Sequence, residues 1–403
     1  MARSEPLSLP DKPSIAVLPF ENMSGDPEQE YFADGITEDI ITALSKITNL
    51  FIVARNSTFT YKGQAVDVRR VGREQGVRYV LEGSVRRSGN RLRITSQLID
   101  ADTGNHIWAE RYDRTLDDIF ALQDEITREV TTAIQVKLLE GEQARIRAAG
   151  TKNFDAWELT VKGGALSENN VREDNQKARE LFEEAVQLDP NYATAWCSLG
   201  WTHWGEARHQ WRASPKEWLA KAWAMAERAS DLAPDTAGPF SLFAAIALEQ
   251  RDYPAAEAFA GRALERAGSQ ADIIANAARV LSHCGRPSDA IGHVERAMRL
   301  CPICPNYYRV ILGRACLLAG DLKRAIATLR EWQDYDLEPV EPVLLATALY
   351  DNGQQEEAKT LLREAVDAKP TFKISEWTKK QPYRNPEDLA HMVAVLEELG
   401  VPK

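Results

Sequence analysis

Few residues of this chain have the types and spacing that chemistry requires. Cys301-Pro-Ile-Cys304 has the spacing of one half of a zinc knuckle, since two thiolates two residues apart can share a tetrahedral ion. The other half is missing: no second pair and no His pair lies nearby, and proline follows Cys304, so free thiols are the expected state. His203 and His209 stand six apart, which on one helix turns them to different sides. They lie among Trp201, Trp204, Trp211, Trp218 and Trp223, an aromatic concentration suited to packing or, alternatively, to a shelf for an aromatic ligand. Arg69, Arg70, Arg73, Arg78, Arg86, Arg87, Arg91 and Arg93 crowd one stretch that holds only Glu74 and Glu82 as acids. An anion or nucleic-acid patch is one reading. The other is a solvated sheet face, because Arg91 and Arg93 alternate with Leu92 and Ile94 and Tyr79 alone interleaves among the arginines, too little to stack a run of bases. GxSxG, GxxxxGK[ST] and HExxH are all absent, so no catalytic, cofactor-binding or metal-binding set is expected.

The bulk numbers agree with that emptiness. The 403 residues carry a net charge of −11 and are 44% apolar, ordinary for a folded chain and unsuited to nucleic acid or an anionic membrane. No apolar run approaches the roughly 20 residues of a membrane-spanning helix, and the N-terminus lacks a signal-peptide core. Five cysteines, an odd number set in helical sequence, favour reduced thiols in the cytoplasm. A natural anchor upstream would instead place the chain on the periplasmic side. Oligomeric state is not legible.

The elements fall into two kinds. Residues 12–140 alternate strand and helix signals. Ser14 to Phe20 is a continuous apolar run, Glu28 to Ile47 carries helical spacing, Leu50 to Ala54 reads as a strand, and Val66 to Gln75 as a helix ended by Gly76. Tyr79, Leu81, Gly83 and Val85 alternate with polar neighbours, Ser88-Gly-Asn90 turns the chain, and Leu92, Ile94 and Leu98 alternate again. A strand over His106 to Arg111 and a helix from Leu116 to about Leu139 complete an α/β domain with a mixed sheet of about five strands. The polar stretch 141–153 reads as a linker.

Beyond it an alanine anchor recurs at Ala178, Ala222, Ala256, Ala290, Ala325 and Ala358, at steps of 44, 34, 34, 35 and 33. Prolines lie twelve residues past four anchors, at Pro190, Pro234, Pro302 and Pro370, and glycines five before three, at Gly285, Gly320 and Gly353. Paired helices need a small residue where their backbones meet, a turn between them and a stop after the second. The period resembles that of the tetratricopeptide repeat, whose Trp-Leu-Gly start is matched by Trp196, Leu199 and Gly200. Six repeats are expected over 154–372, with some ten extra residues near 208–217 and a capping segment with one helix over 373–403.

The run PSIAVLPFENMSGDPEQEYFADGITEDIITALSKI, with YVLEGSVRRSGNRLRITSQLIDADTGNHIWAERYDR and DIFALQDEIT, is similar to the TolB-amino-terminal-like domain that precedes tetratricopeptide repeats in bacterial proteins. This arrangement, with the closing residues from Pro382 onward, resembles the C-terminal half of rhizobial class III adenylate cyclases. The resemblance implies a regulatory half whose cyclase domain lies upstream. Phe32-Ala-Asp34-Gly35 superficially resembles a cyclase metal strand, but no second carboxylate hairpin follows and Asp34 falls within a helical pattern. The expected function is therefore non-catalytic. A protein or peptide partner would lie in a groove lined by Trp201, Trp204, Arg279, Arg314 and Tyr350, with arginines pairing to carboxylates. A regulator joined to a DNA-binding domain is the other context.

Overall fold

A computed structural model describes residues 7, 9–47, 49–134, 150–167, 169, 171–211, 214–331, 340–368, 370 and 372–401. The first part is a six-stranded mixed sheet of β1 (Ser14–Val17), β2 (Glu21–Asn22), β3 (Phe51–Ile52), β4 (Tyr79–Ser88), β5 (Arg91–Asp100) and β6 (His106–Thr115). The order is β3-β1-β4-β5-β6, with β2 beside β4. All four residues of β1 are buried, which suits a strand flanked by parallel neighbours on both sides. The long hairpin runs from Tyr79 opposite Asp100 to Ser88 opposite Arg91, turning at Gly89 with φ +60°. On β5, Leu92, Ile94 and Leu98 point inward while Arg91 and Arg93 face water.

Among the described residues four helices accompany the sheet: α1 (Glu30–Ser45), α2 (Arg55–Thr58), α3 (Val68–Gln75) and α4 (Ile119–Ala133). Asp67 caps α3 by accepting from the Arg69 amide, and Gly76 at φ +60° ends it. Phe32, Ile36, Ile40 and Leu44 of α1 share one core with Ile119, Leu122, Ile126 and Val130 of α4. The expected extension of α4 through 139, and nearly all of the linker at 141–153, lie outside the described residues.

Among the described residues twelve helices follow as six successive pairs: α5 (Phe154–Ser167) with α6 (Arg172–Leu188), α7 (Ala193–His209) with α8 (Pro215–Leu232), α9 (Gly238–Glu249) with α10 (Tyr253–Arg266), α11 (Ala271–His283) with α12 (Pro287–Leu300), α13 (Asn306–Leu318) with α14 (Leu322–Arg330), and α15 (Val340–Asp351) with α16 (Gln355–Ala368). All six anchor alanines are fully buried. The ten extra residues of the second repeat lengthen its helices: α7 has 17 residues and α8 has 18, against 12 to 14 for α9 to α12. Gly285, Gly320 and Gly353 each adopt φ +80° in the turn inside a hairpin. The equivalent turn of the third repeat places Arg251 at φ +60°, where a side chain is strained. Two short helices close the chain, α17 (Ile374–Lys379) and α18 (Pro386–Glu398), the latter capped by Asn385. The chain divides into two compact units: residues 1–242 with 263–271 and 298–304, and residues 243–262 with 272–297 and 305–403.

Backbone approach inside a hairpin is testable at Gly313, where an added Cβ would lie 2.4 Å from Leu329 Cγ. Gly313→Ala is expected to cost about 1–3 kcal/mol by overpacking. Gly261→Ala, in a helix with nothing within 4 Å, should be neutral or stabilising by about 0.5–1 kcal/mol. Urea midpoints decide; equal midpoints for the two variants would contradict the packing.

Candidate functional site

In the first unit the repeats are welded to the sheet domain. Trp157 of α5 is 2% exposed and belongs to the core built by α1 and α4. Its ring meets Phe32 edge-on at 5.5 Å and Phe120 at 6.2 Å, and its Nε1 donates to Asp39 Oδ2 at 2.6 Å. Gln123 donates to the same oxygen at 2.9 Å. Burial pushes the Asp39 carboxyl up to about 6, although the Trp157 and Gln123 donors work the other way. Arg87 adds an ion pair to Glu158 at 3.2 Å and lays its guanidinium over Phe32 and Phe154.

Two repeat junctions bind the border of the sheet at β3. The Ser269 amide donates to Ser45 O at 3.1 Å, and its hydroxyl donates to Leu50 O. The Ala54 amide donates to Leu300 O at 2.7 Å, the Ile303 amide to Ser57 Oγ at 2.9 Å, and Arg299 stacks on Phe51. Cys301 and Cys304 are buried in this second junction, so their spacing serves a docking turn. Among the described residues no group of three or more His, Cys, Asp or Glu gathers as a metal cage would require.

Trp201 and Trp204 meet edge-on at 5.3 Å on α7, both half-buried. Trp201 lines a cavity of about 230 Å³ with Cys197, Thr42, Lys46, Thr236 and Arg266. Burial lowers the Lys46 ammonium to about 8 and raises the Cys197 thiol to about 12. The two histidines do face apart. His203 is buried beside Trp218, and desolvation, reinforced by Arg179 and Lys221, lowers it to about 4. His209 stacks on Trp211 at 4.7 Å. The tryptophans thus serve several separate contacts, including Arg179, which reaches over Trp218 while paired to buried Glu206 at 2.7 Å.

The crowded arginines are mostly satisfied within the fold. Arg70 pairs with Glu74, Arg78 with Asp100 and Arg93 with Asp113, while Arg69 and Arg86 donate to the carbonyls of Thr103 and Met23. The solvated-face reading accounts for them.

In the second unit two of the three expected groove residues, Arg279 and Tyr350, have partners of their own. Arg279 donates to Asn276 Oδ1 through Nε and a terminal nitrogen, at 3.1 and 3.0 Å. Arg314 is 5% exposed, and its Nε has no hydrogen-bond partner among the described residues. A free carboxylate clamp needs an accessible guanidinium, and that of Arg314 is buried in this structure. Tyr350 is half-buried, and its phenol hydrogen-bonds Glu398 of α18, which raises its pKa. Sequence reading missed what holds this face. Helix α18 packs on α15, with His391 2.9 Å from Asp351. Residues 379–384 reach back to the third and fourth repeats, further than a cap on the last repeat alone would. There Arg251 donates to Lys379 O and Gln381 O, Tyr253 Oη donates to Tyr383 O at 2.9 Å, and the Arg384 amide donates to His283 O at 2.9 Å. The Tyr383 ring lies 4.9 Å from His283, and Arg384 pairs with Glu257 at 2.7 Å. The only sequence sign of this site was the missing glycine at Arg251.

Comparison with known proteins places these features in context. A family described as "HilA/YgeH-like transcriptional regulator, second domain" matches residues 11–129, and the tetratricopeptide repeat family matches residues 343–372. A protein of Rhizobium meliloti (strain 1021) named "Putative adenylate cyclase 3" is 51% identical over 232 residues, covering 57% of this chain. The chain spans 39% of that relative's length. Among solved structures, a thermophilic TPR protein of Thermus thermophilus is 14% identical with a TM-score of 0.37, covering 52% of this chain and 98% of its own. TolB from Acinetobacter baumannii is 16% identical with a TM-score of 0.24, covering 33% of this chain and 30% of its own. No helix among the described residues is long and apolar enough to cross a membrane.

Two measurements test these environments. Folding raises Asp39 from 3.8 to about 6, so the folded chain keeps a proton that the unfolded chain releases, and stability declines as pH rises from 4 through 6. Asp39→Asn, which cannot ionise yet still accepts from Trp157, should flatten that slope by roughly 1–2 kcal/mol after allowance for solvent screening. Urea midpoints at pH 4, 5, 6 and 7 give the answer, and an unchanged slope would contradict it. Cys197 and Cys284 are raised to about 12 and Cys316 to about 11, all by burial first. At pH 8 their thiolate fraction is on the order of 10⁻³ or less, so iodoacetamide should spare them until urea is added. Rapid native labelling, read by peptide mass, would overturn the assignment.

Proposed function

We propose that this chain is a non-catalytic interaction module, the regulatory portion of an adenylate-cyclase-type signalling system, which holds a protein or peptide partner on its helical hairpins. One observation carries the reading: the second unit holds a non-helical run of chain by its main-chain carbonyls and one amide, the way a peptide ligand is held. The partner would lie along the faces that carry Arg279, Arg314 and Tyr350 in the second unit, and Trp201 and Trp204 in the first. Paired helices supply such faces without a reaction centre. The likeness to a protein named as a cyclase supports the signalling context, and the sheet domain's match to a regulator family favours a second one, in which the same module serves a DNA-binding output. In either context the acidic chain itself would read protein, with a net charge of −11 unsuited to duplex DNA.

A photo-crosslinking residue at Trp201 or at Tyr350, expressed in the native host, should give a discrete protein adduct. Purified chain given ATP and manganese should produce no cyclic AMP above the blank. Absence of an adduct from both positions, or cyclic AMP from the chain alone, would end the reading.

A further inference from the structure

The turn of the third repeat breaks the pattern of its neighbours. Gly285, Gly320 and Gly353 occupy this turn in the next three repeats at φ +80°, a conformation that costs glycine little. Arg251 takes it at φ +60°, where a side chain is strained. Strain retained at one turn of four needs a local return, and the guanidinium shows one. Its terminal nitrogen reaches Gln381 O at 3.2 Å and Lys379 O at 3.5 Å.

Other side chains complete the same site. Tyr253, two residues on, donates to Tyr383 O, and the carbonyl of His283 accepts from the Arg384 amide. Two carbonyls and one amide of the run, with the carbonyl of Lys379 at the end of α17, are therefore read without regard to side chain. Two side chains are read as well. Tyr383, 4% exposed, packs its ring on His283, whose Nδ1 is fixed 2.8 Å from Arg279 O. Arg384 meets Glu257 at 2.7 Å, and Arg286 lies 3.8 Å from the same carboxylate. The Gln381 side-chain oxygen is buried with no hydrogen-bond partner among the described residues, as is Trp377 Nε1 on α17 just before the run.

We propose that Arg251, Tyr253, Glu257 and His283 form a peptide-reading site for a non-helical segment bearing an aromatic residue followed by arginine, and that residues 380–384, directly after α17, are its resident occupant, displaced by a partner segment of the same chemistry. The proposal rests on the interaction-module reading and names the partner's chemistry within it. A resident occupant lowers the apparent affinity for a competing segment by the fraction of time it holds the site.

The test uses the full chain and a labelled peptide of residues 377–388, with binding read by fluorescence anisotropy. Tyr383→Ala with Arg384→Glu weakens the occupant and leaves all four reading residues in place. This double variant should bind the peptide with a Kd of about 10–100 µM, at least tenfold tighter than the parent chain. Adding Glu257→Arg should abolish binding, and a peptide carrying glutamate in place of its arginine should restore it. If the double variant melts cooperatively at a lower temperature and binds no peptide, the segment is core and the proposal falls. Arg251→Gly guards against a variant that only fails to fold, because glycine suits the turn. It should speed trypsin cleavage after Lys379 or Lys380 severalfold with no loss of melting temperature, and an unchanged cleavage rate would also overturn the proposal. A crosslinked partner at Tyr350 together with failed peptide binding would remove this inference and leave the module reading standing. No adduct at either crosslinking position would remove the reading itself.

Discussion

One side chain, Trp157, ties the first repeat to the sheet domain. It leaves the helical array to complete a core made by α1 and α4, and its indole nitrogen finds an acceptor there in Asp39. An indole buried without a partner would lose most of what its apolar ring gains. The carboxylate that satisfies it must itself be desolvated, hence its raised pKa. The cost and the gain are local to one contact, and the first hairpin is positioned by it. The junctions at Ser269 and Leu300 then follow the same border of the sheet, each through backbone hydrogen bonds that side-chain changes alone would not remove.

The hairpins were legible because their physics is periodic. Six alanines, the last five at steps of 33 to 35, mean that small residues recur where backbones meet, and each proves fully buried. The sheet domain was legible for the same reason at period two: Leu92, Ile94 and Leu98 point inward while Arg91 and Arg93 face water. The two-residue strand β2 and the four-residue helix α2 were not, since elements so short leave no periodic trace.

The site was much less legible. Arg314 occupies a groove position by register, but register does not report what covers it, and it is buried. Contacts such as Tyr253 with Tyr383 or Glu257 with Arg384 join residues well over a hundred positions apart, and no local pattern encodes them. Nothing in the spacing around Trp157 sets it apart from other aromatics near a repeat start, although it is the main link to the sheet. Arg251 did leave a trace, as the one absent glycine among four equivalent turns, and a violated local rule of that kind tends to mark function.

A sheet has two borders, and here they are treated differently. Along β3 the outward groups Leu50 O and Ala54 N are both occupied by repeat junctions, so that side offers little to a stray strand. Along β6 the described residues place no further strand, and charged side chains such as Glu110, Arg111, Asp113 and Arg114 fringe it instead. Cutting the sheet domain away from the hairpins would therefore uncover the uncharged border while leaving the charged one as it was. The severed piece would gain a sticky seam that the intact chain keeps shut, so the hairpins also act as a guard on the solubility of the domain that precedes them.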